Sequence, residues 1–353
     1  MRCGVGDYTH RLATALANVP GNSVALLTSL RCVPGPESRA LEVFPIVKRW
    51  GFSDVWRVFH LFRRWRPDLV HIQYPTQGYG DGVLPNLVPL LARLAGARVV
   101  QTWHEPIARR ALLALLLRRS VSGPIVVVRP RYTELLHPLL RGLVPPRRLK
   151  FIASASSIPK SRLTPDQKSA LRRRYLKGQE RLVVFFGFLY RHKGVDLVFE
   201  IADPSTDHIV IAGDTDHADF KSEIQRCAES APWVGKATLA GFMPVNDISD
   251  LLSVADAVVL PFRLGGGDWN TSIHGAIANG AYVITTSKTL HGYDAQANVF
   301  YAEVGSTQQM RSALALVPQP RIEGVAKVSV WSEVASAHMD LYESERAPSA
   351  MQP

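Results

Sequence analysis

The sequence predicts two α/β domains, each a doubly wound parallel sheet with helices on both of its faces. Short apolar runs rich in Val and Ile alternate with longer helical patterns along the chain, which is the order of a parallel sheet connected by helices. The chain has 353 residues, more than one hydrophobic core usually holds, and its apolar fraction of 46% is ordinary for a globular protein.

Four segments of the first half are predicted as strands buried on both faces, because their apolar residues follow one another without alternation. They are residues 23–30, 69–74, 98–103 and 124–128. The helices predicted around them, from the spacing of their apolar residues, are 8–18, 55–64, 85–94 and 131–140.

The second half repeats the alternation with five further buried strands. These are predicted at residues 181–187, 208–212, 237–239, 257–261 and 281–286, with helices at 195–201 and 246–254. Two runs of this kind require two sheets, and therefore two domains.

The boundary between the domains is predicted at residues 145–164, where Pro, Ser, Lys and Arg cluster. We expect the first domain to span residues 1–150 and the second 151–325, with a disordered tail at 346–353. A doubly wound domain also needs a strand ahead of the glycine segment that begins at Gly4, and residues 1–3 leave no room for one. We expect that strand either upstream of Met1 in the gene or absent from this chain.

The formal charge is +11, and its distribution is uneven. Residues 1–150 carry a net +14 and the remaining residues −3, so the whole excess lies in the first half. Such an excess indicates an anionic partner, which the charge alone leaves open among nucleotide phosphates, nucleic acid and an acidic membrane surface. Nucleic acid is the least favoured of the three, because the chain has no motif that reads DNA or RNA.

Cysteine usage and hydropathy exclude several classes of protein. Cys3, Cys32 and Cys227 are odd in number and form no C-x-x-C pair, so neither a disulfide framework nor a zinc site is expected, and a reducing cytoplasm fits. No apolar run reaches membrane-spanning length, and no apolar stretch follows Met1 as in a signal peptide.

The first candidate site is the segment GVGDYT, which begins at Gly4. Gly4 and Gly6 form a predicted loop that runs into a helix, so that backbone amides can approach a phosphate or a sugar at the positive end of the helix. The segment fails as a dinucleotide fingerprint, because Thr9 occupies the third glycine position. The alternative is a loop that needs glycine only in order to turn.

The second candidate is the loop GFLYRHKGVD at residues 187–196, which follows a strong strand and precedes a helix. Lys193 beside Gly194 at the start of a helix suits a cation that holds a diphosphate. Arg191 and His192 add local positive charge. The alternative is a solvated basic turn.

The third candidate lies at residues 261–280, where a buried strand ends in three consecutive glycines, 265–267. The residues that follow, Asn270, Thr271, Ser272 and Ile273, open the next helix, and the hydroxyls at 271 and 272 can cap it. We expect free backbone amides at 271, 272 and 273 to face the crevice at the carboxyl end of the sheet. The glycines cost folding entropy, so we expect them to serve a close backbone approach rather than a flexible surface loop.

Two further features complete the set. His104 follows the strand at 98–103 and faces the same kind of crevice, although a lone histidine is more often structural than catalytic. The helix VWRVFHLFRRWR at 55–66 mixes aromatic residues with arginines at helical spacing. It is equally compatible with an interfacial membrane helix and with a core-facing helix that has a basic outer face.

Taken in order along nearly the whole chain, these segments resemble a GT-B glycosyltransferase of family 4. CGVGDYTHRLATAL resembles the family's first glycine loop, RPDLVHIQYP and VVQTWHEP its next core strands, and HKGVDLVFEIA its phosphate-binding lysine loop. HIVIAGDTD, LAGFMPVNDISDLLSVADAVVLPF and IANGAYVITTS resemble the strands of its second domain. SVWSEVASAHMDLYES resembles its closing helix, which we place at 326–345 and which would cross back to the first domain.

The resemblance implies specific roles. Gly4 and Gly6 would line the cleft near the donor phosphates and the acceptor, and His104 would lie beside the transferred sugar. Lys193 would hold the donor diphosphate, with Arg191 as a substitute for the family's arginine, whose position is Phe188 here. The group Asn270, Thr271, Ser272 and Ile273 would offer backbone and hydroxyl groups to that diphosphate.

The sequence departs from the family at two carboxylates. The family commonly has two glutamates eight residues apart, and those positions fall on Gly267 and Gly275. Asp268 is the nearest acid, and we take it as a third catalytic candidate beside His104 and Lys193. The departure puts in doubt how the ribose and the donor sugar are held.

The expected function is transfer of a hexose from a nucleotide-diphosphate sugar to a glycan or lipid-linked glycan acceptor, with retention of anomeric configuration. No metal and no cofactor beyond the donor is expected. The expected location is cytoplasmic, in peripheral contact with an anionic membrane through the basic first half. The alternative is a non-catalytic nucleotide-sugar-binding partner subunit of another transferase.

Overall fold

A computed structural model describes residues 4–32, 41–106, 123–144, 146–267, 269–317 and 330–344. The chain divides into two units, and the break between Ser154 and Ala155 falls inside the segment predicted as the domain boundary. Unit 1 comprises Met1–Ser154 together with Ser329–Pro353, and unit 2 comprises Ala155–Val328.

Unit 1 contains six described strands. They are β1 (Ala25–Ser29), β2 (Glu42–Val47), β3 (Leu69–Tyr74), β4 (Arg98–Trp103), β5 (Ile125–Val127) and β6 (Leu149–Phe151). Its described helices are α1 (Gly4–Ala17), α2 (Val55–Trp65), α3 (Leu84–Leu94), α4 (Tyr132–Leu135) and α5 (Pro138–Arg141), with a last helix at Trp331–Ser344.

All strand pairs of unit 1 are parallel, but the strands form two separate sheets. One sheet consists of β1 and β2, and the other has the order β3-β4-β5-β6. The register of β3 with β4 pairs Leu69 with Arg98 and runs without interruption to Tyr74 and Trp103. The two strands therefore end level with each other, which brings the residues that follow them to one edge.

The described residues of unit 2 form seven strands. They are β7 (Arg181–Phe186), β8 (Asp207–Ala212), β9 (Ala237–Gly241), β10 (Ala257–Leu260), β11 (Tyr282–Ser287), β12 (Gly292–Asp294) and β13 (Val299–Glu303). Its described helices are α6 (Pro165–Leu176), α7 (Val198–Ile201), α8 (Ala218–Glu229), α9 (Val245–Val254), α10 (Thr271–Ala278) and α11 (Thr307–Ala315). The helix at Trp331–Ser344 is α12.

The strands of unit 2 form one sheet of order β12-β13-β11-β10-β7-β8-β9. All its pairs are parallel except β12 with β13, which closes one edge as an antiparallel pair. β7 and β10 are neighbours in the middle of the sheet, so the loops that follow them adjoin. Apolar side chains from both faces of this sheet form a single core with the surrounding helices.

The structure confirms most predicted elements and corrects three helices. The pattern at 131–140 forms two short helices, because Pro138 forces the preceding residues out of helical conformation, and Leu136 is extended. The predicted helix at 195–201 begins as a 3₁₀ turn, and only Val198–Ile201 is α-helical. Helix α1 begins at Gly4 rather than Tyr8, so the two glycines form its first turn and not a loop.

Helix α12 belongs to unit 1, where it packs against α1. Trp331 meets the ring of Tyr8 edge-on at 5.2 Å between centroids. Farther along α12, the Tyr342 hydroxyl lies 2.6 Å from Nδ1 of His71 on β3, and the guanidinium of Arg98 donates to the Tyr342 carbonyl. Residues on either side of unit 2 in the sequence therefore build one unit. The predicted tail at 346–353 lies outside the described residues.

Candidate functional site

The first group of candidates lies at the start of α1. Gly4 and Gly6 are both exposed at the amino end of α1, and the partial positive charge of a helix amino end favours an anion. A Cβ atom on Gly4 would meet no atom within 4 Å, so packing does not require glycine there. The helix reaches back to Gly4 partly because the Thr9 hydroxyl donates to the Val5 carbonyl at 2.6 Å.

His104 directly follows β4, is only 9% exposed, and is fixed on three sides. Its backbone N–H donates to the Tyr74 carbonyl, and its Nε2–H donates to Oε1 of Gln73 at 2.9 Å. The ring of Tyr8 meets it edge-on at 4.7 Å between centroids. Burial lowers the pKa of His104 to about 3, and His338 contributes to the shift. His104 is therefore a neutral imidazole that carries its proton on Nε2 and presents Nδ1 as an acceptor.

In unit 2, β7 leads into a tight turn that ends at Lys193. Arg191–Lys193 form one 3₁₀ turn, and Gly194 then takes a left-handed conformation with φ of 71°. A Cβ atom on Gly194 would come within 2.1 Å of the Pro261 carbonyl oxygen, so only glycine lets this turn approach the end of β10. The Lys193 ammonium lies 4.7 Å from the centre of the Phe262 ring, a cation–π contact.

Arg191 is engaged elsewhere. Its guanidinium is exposed and forms an ion pair at 2.7 Å with Glu223 of α8, and it lies over the Phe220 ring of the same helix. This hydrogen bond with Glu223 raises the pKa of Arg191. A phosphate would have to compete with Glu223 for this side chain, so Lys193 is the better placed cation of the pair.

The glycine segment after β10 is close-packed, and its close neighbours are aromatic. A Cβ atom on Gly266 would meet the Phe262 ring at 2.5 Å, and one on Gly267 would meet the Trp269 ring at 2.2 Å. The Gly266 amide donates to the Thr286 carbonyl at 2.7 Å, which fastens the loop to β11. The glycines therefore serve a close approach, as predicted, but to side chains of the protein itself.

The start of α10 carries the three amides expected to be free. The Asn270 side chain accepts from the Gly267 amide at 2.9 Å and shapes the entry to the helix. Thr271 and Ser272 open the first turn, and no acceptor for their amides is found among the residues that the structure describes. The prediction of a free amide is wrong for Ile273, whose N–H donates to the Asn270 carbonyl at 2.9 Å. Asp268 lies outside the described residues.

The Lys193 turn and the segment after β10 are fastened together. The Arg263 amide donates to the His192 carbonyl at 3.0 Å, and the Arg263 guanidinium pairs with the carboxylate of Asp196. With the Gly194–Pro261 contact and the cation–π contact, this joins the two predicted phosphate-binding segments at one edge of the sheet. A cation and the amino end of a helix are both groups that can bind a doubly charged anion.

Two models of protein families match the chain. The one described as glycosyl transferase 4-like domain matches residues 3–154, and the one described as glycosyl transferases group 1 matches residues 180–316. Together they cover more than three quarters of the chain. The chain is a GT-B glycosyltransferase. No curated protein matches it significantly.

Solved structures share the fold of this glycosyltransferase at low sequence identity. HepE from Anabaena, in complex with UDP and glucose, has a TM-score of 0.72 and 15% identity, covering 98% of this chain and 96% of its own. A glycosyltransferase from Rickettsia africae has a TM-score of 0.73 and 13% identity, covering 98% of this chain and 96% of its own. Sucrose-phosphate synthase from Thermosynechococcus elongatus has a TM-score of 0.72 and 16% identity, covering 98% of this chain and 94% of its own.

The glycosyltransferase has no room for glutamates at the two positions where the resemblance places them. Gly275 is buried, and a Cβ atom on it would lie 2.9 Å from the Ser156 hydroxyl and 3.0 Å from the Ile158 side chain. Gly267 is closed in the same way by the Trp269 ring. The missing carboxylates are therefore part of how this unit packs.

Two kinds of feature are absent from the described residues of the glycosyltransferase: a metal-binding cluster and a membrane-spanning helix. Within the described ranges, no group of His, Cys, Asp and Glu side chains is arranged to hold a metal ion. Among the helices that the structure describes, none is long and apolar enough to cross a membrane.

Sequence reasoning missed the partners that set the chemistry of the candidates. Gln73, which accepts the His104 proton in a hydrogen bond, lies within a predicted strand, and nothing in the sequence distinguishes it there. Phe262, whose ring the Lys193 ammonium contacts, resembles in the sequence an apolar residue at the end of a strand. The register of β3 against β4 pairs Gln73 with Thr102, two residues before His104, and register is not visible in one sequence.

Proposed function

We propose that this glycosyltransferase transfers a hexose from a nucleotide-diphosphate sugar to a glycan or lipid-linked glycan acceptor, with retention of anomeric configuration. The supporting observation is that the Lys193 turn is held against Pro261, Phe262 and Arg263, at the start of the segment that leads from β10 into α10. A related support is HepE from Anabaena, which shares the fold and was solved with UDP, with UDP and glucose and with UDP-glucose.

The proposed chemistry depends on the leaving group. A nucleoside diphosphate leaves readily only if its growing negative charge is stabilised as the bond to the sugar breaks. In this proposal Lys193 supplies a full positive charge, and the amides of Thr271 and Ser272 supply the partial charge of a helix amino end. Because these groups already provide positive charge, the proposal requires no metal and no further cofactor.

In this proposal, His104 and the start of α1 bind the transferred sugar and the acceptor. A neutral imidazole with a free Nδ1 can accept a hydrogen bond from a sugar hydroxyl. Neither of the two glycine positions supplies a carboxylate nucleophile, so the retaining reaction is assigned to attack from the face that the diphosphate leaves.

Replacement of Lys193 tests the proposal. Lys193→Ala should lower the release of nucleoside diphosphate from a panel of sugar nucleotides, in the presence of acceptor extract, by ~10²–10³-fold. Arg173→Ala, which removes an exposed cation from α6, is the matched control and should leave release unchanged. Undiminished turnover by the Lys193 variant would contradict the assignment to the diphosphate.

We also propose that unit 1 contacts an anionic membrane surface, as fits a lipid-linked acceptor. The support is its positive charge and the pair of exposed aromatic residues, Phe52 and Trp56, at the start of α2. The same helix buries Val58 and Phe62 in the core, so its core-facing side fits one interpretation of the sequence pattern, and the proposal assigns membrane contact to its exposed side.

The second candidate function is that of a nucleotide-sugar-binding partner subunit without catalysis. The observation in its favour is the close packing at Gly267 and Gly275, which leaves no carboxylate there. The two functions differ in one measurement. A partner subunit should bind sugar nucleotides in a thermal-shift screen but release no nucleotide in the presence of acceptor extract.

A further inference from the structure

The contacts of His104 differ in what they restrain. The Gln73 carboxamide accepts a hydrogen bond from Nε2, and this nitrogen lies close to the axis about which the imidazole ring rotates. The torsion about that axis has broad preferences in proteins. The hydrogen bond therefore restrains the rotation of the ring only weakly, and packing against the ring decides in which direction Nδ1 points.

Tyr8 of α1 packs against the imidazole. The two rings form a T-shaped pair, with centroids 4.7 Å apart and planes at 82°. Tyr8 is buried, and its hydroxyl has no hydrogen-bond partner among the residues that the structure describes. The place of the Tyr8 ring therefore depends on packing and not on a hydrogen bond of its hydroxyl.

Helix α12 supplies packing on the Tyr8 ring. Trp331, the first residue of α12, meets this ring at 5.2 Å between centroids, with planes at 73°. Both contacts of Tyr8 have the T-shaped geometry that pairs of aromatic rings prefer. Trp331, Tyr8 and His104 thus form a row of three rings, which we call the aromatic row.

The Trp331 end of the aromatic row lies on a helix that is fixed at both ends. In the first turn of α12, the Val330 amide donates to the Glu333 carboxylate, and the Glu333 amide donates to the Val330 carbonyl at 3.0 Å. At the other end of the helix, the Arg98 guanidinium donates to the Tyr342 carbonyl at 2.8 Å. Arg98 begins β4, the strand that leads to His104, so the same strand holds both α12 and the imidazole.

We propose that Tyr8 and Trp331 are positioning residues for His104. Trp331 holds the Tyr8 ring, and the Tyr8 ring holds the imidazole at the rotation in which Nδ1 accepts a hydrogen bond from the transferred sugar. This inference rests on the proposed function, in which His104 contacts that sugar. It gives the closing helix a part in the reaction, through a residue that follows the return of the chain from unit 2 by three positions.

Replacement of Trp331 tests the proposal. Trp331→Leu should lower kcat for sugar transfer by about tenfold, because a small misplacement of a catalytic group is costly. The affinity for nucleoside diphosphate, which the proposed function assigns to unit 2, should not change. Trp65→Leu is the matched control and should keep the native kcat. Trp65 is also a half-buried tryptophan at one end of a helix of unit 1, in T-shaped contact with Phe44.

Two variants of Tyr8 separate its ring from its hydroxyl. Tyr8→Leu removes the ring and should lower kcat about as much as Trp331→Leu does. Tyr8→Phe should keep the native kcat, since it removes only a hydroxyl that has no partner within the described part of the chain. A loss in Tyr8→Phe as large as that in Tyr8→Leu would contradict the role assigned to the ring.

A double-mutant cycle distinguishes positioning from a general loss of stability. In a His104→Ala background, Trp331→Leu should lower kcat by less than about twofold, because the group that it positions is gone. The same tenfold loss in both backgrounds, or a native kcat in the single variant, would overturn the proposal.

NMR of the His104 ring provides a readout that does not depend on catalysis. The ring proton shifts should move in Trp331→Leu, because the neighbouring Tyr8 ring moves, and should stay at their native values in Trp65→Leu. Unchanged shifts in Trp331→Leu would overturn the proposal. Because this measurement needs no turnover, it tests the aromatic row even if Lys193→Ala contradicts the proposed function.

Discussion

The chemistry of His104 depends on a single neighbour. An imidazole in a dry site can hold its proton on either nitrogen, and the carboxamide of Gln73 selects Nε2 by accepting from it. With a pKa of about 3, the ring has no charge at any physiological pH. If His104 accepts a sugar hydroxyl through Nδ1, Gln73 is a positioning residue for that contact.

Replacing Gln73 by a carboxylate should give the enzyme an acid limb in its pH profile. In Gln73→Glu the new negative charge would favour the imidazolium and raise the pKa of His104 by about 1–3 units. Below that pKa Nδ1 carries a proton and cannot accept, so kcat/KM should fall as the pH drops from 7 to about 4. The native enzyme should show no such fall from this group.

The control for this prediction keeps the shape and omits the charge. Gln73→Met should lower kcat/KM at all pH values without adding an acid limb. ¹⁵N chemical shifts of the His104 ring report its proton position directly. Identical pH profiles for Gln73→Glu and the native enzyme would show that the Gln73 contact does not govern His104.

At the scale of elements, Gly266 and Gly267 after β10 and Gly275 on α10 show how packing replaces a motif. The space that a side chain would need is filled by Phe262 at Gly266, by Trp269 at Gly267, and by Ser156 and Ile158 at Gly275. The loop is thereby close-packed, and the start of α10 is held where the Lys193 turn can meet it.

Restoring a glutamate at Gly275 should therefore destabilise unit 2 without improving transfer. Gly275→Ala already places a Cβ atom within 3.0 Å of Ser156 and should cost about 1–3 kcal/mol of unfolding free energy, and Gly275→Glu more. Gly142→Ala is the matched control, because its added Cβ meets nothing within 4 Å. Urea unfolding measures both, and an unchanged midpoint for Gly275→Glu would contradict this account.

Most of the secondary structure was predictable, and the exceptions have local causes. The strands β3, β4, β7, β8 and β10 were predicted from their apolar residues, and their bounds agree with prediction to within one residue. β2 was missed because Pro45 interrupts it, and a proline can be accommodated where a strand lies at an edge of its sheet. β12 (GYD) was missed because it is short and has one apolar residue, whereas β13 (VFYAE) was missed although its first four residues are apolar.

The candidate site was predictable only as segments. Glycines, Lys193 and His104 stand out in the sequence by type and by their place after strands. Their contacts, such as that of Arg191 with Glu223 on α8, join residues far apart in the chain, and no local pattern encodes them.

On the scale of the whole molecule, the excess charge belongs to one unit. Unit 1 holds 23 basic and 12 acidic residues, and unit 2 holds 18 of each. The entire net charge of +11 is therefore carried by the unit without the Lys193 turn. Phe52 and Trp56 of that unit are 73% and 67% exposed, next to the exposed Lys48 and Arg49. Aromatic residues beside cations suit the surface of an anionic membrane.

Removing these aromatic residues should weaken membrane binding. The double variant Phe52→Ser/Trp56→Ser should bind phosphatidylglycerol vesicles at least about tenfold more weakly. The reason is that insertion of two aromatic side chains into the membrane surface contributes on the order of 2 kcal/mol to the free energy of binding. Leu135→Ser/Leu139→Ser removes another exposed apolar pair of unit 1 and should bind as the native protein does. Co-sedimentation at two salt concentrations measures both, and equal binding by the two double variants would refute the assignment.

Helix α12 has a consequence for synthesis. Unit 1 is assembled from Met1–Ser154 and Ser329–Pro353, with all of unit 2 between them in the sequence. On the ribosome, unit 2 emerges before α12. Tyr8, His71 and Arg98 therefore cannot form their contacts with α12 until translation is nearly finished. Unit 2 can fold while the chain is still attached, whereas unit 1, although its first residues are made first, is completed last. The half-built first unit is therefore the form that a chaperone would meet.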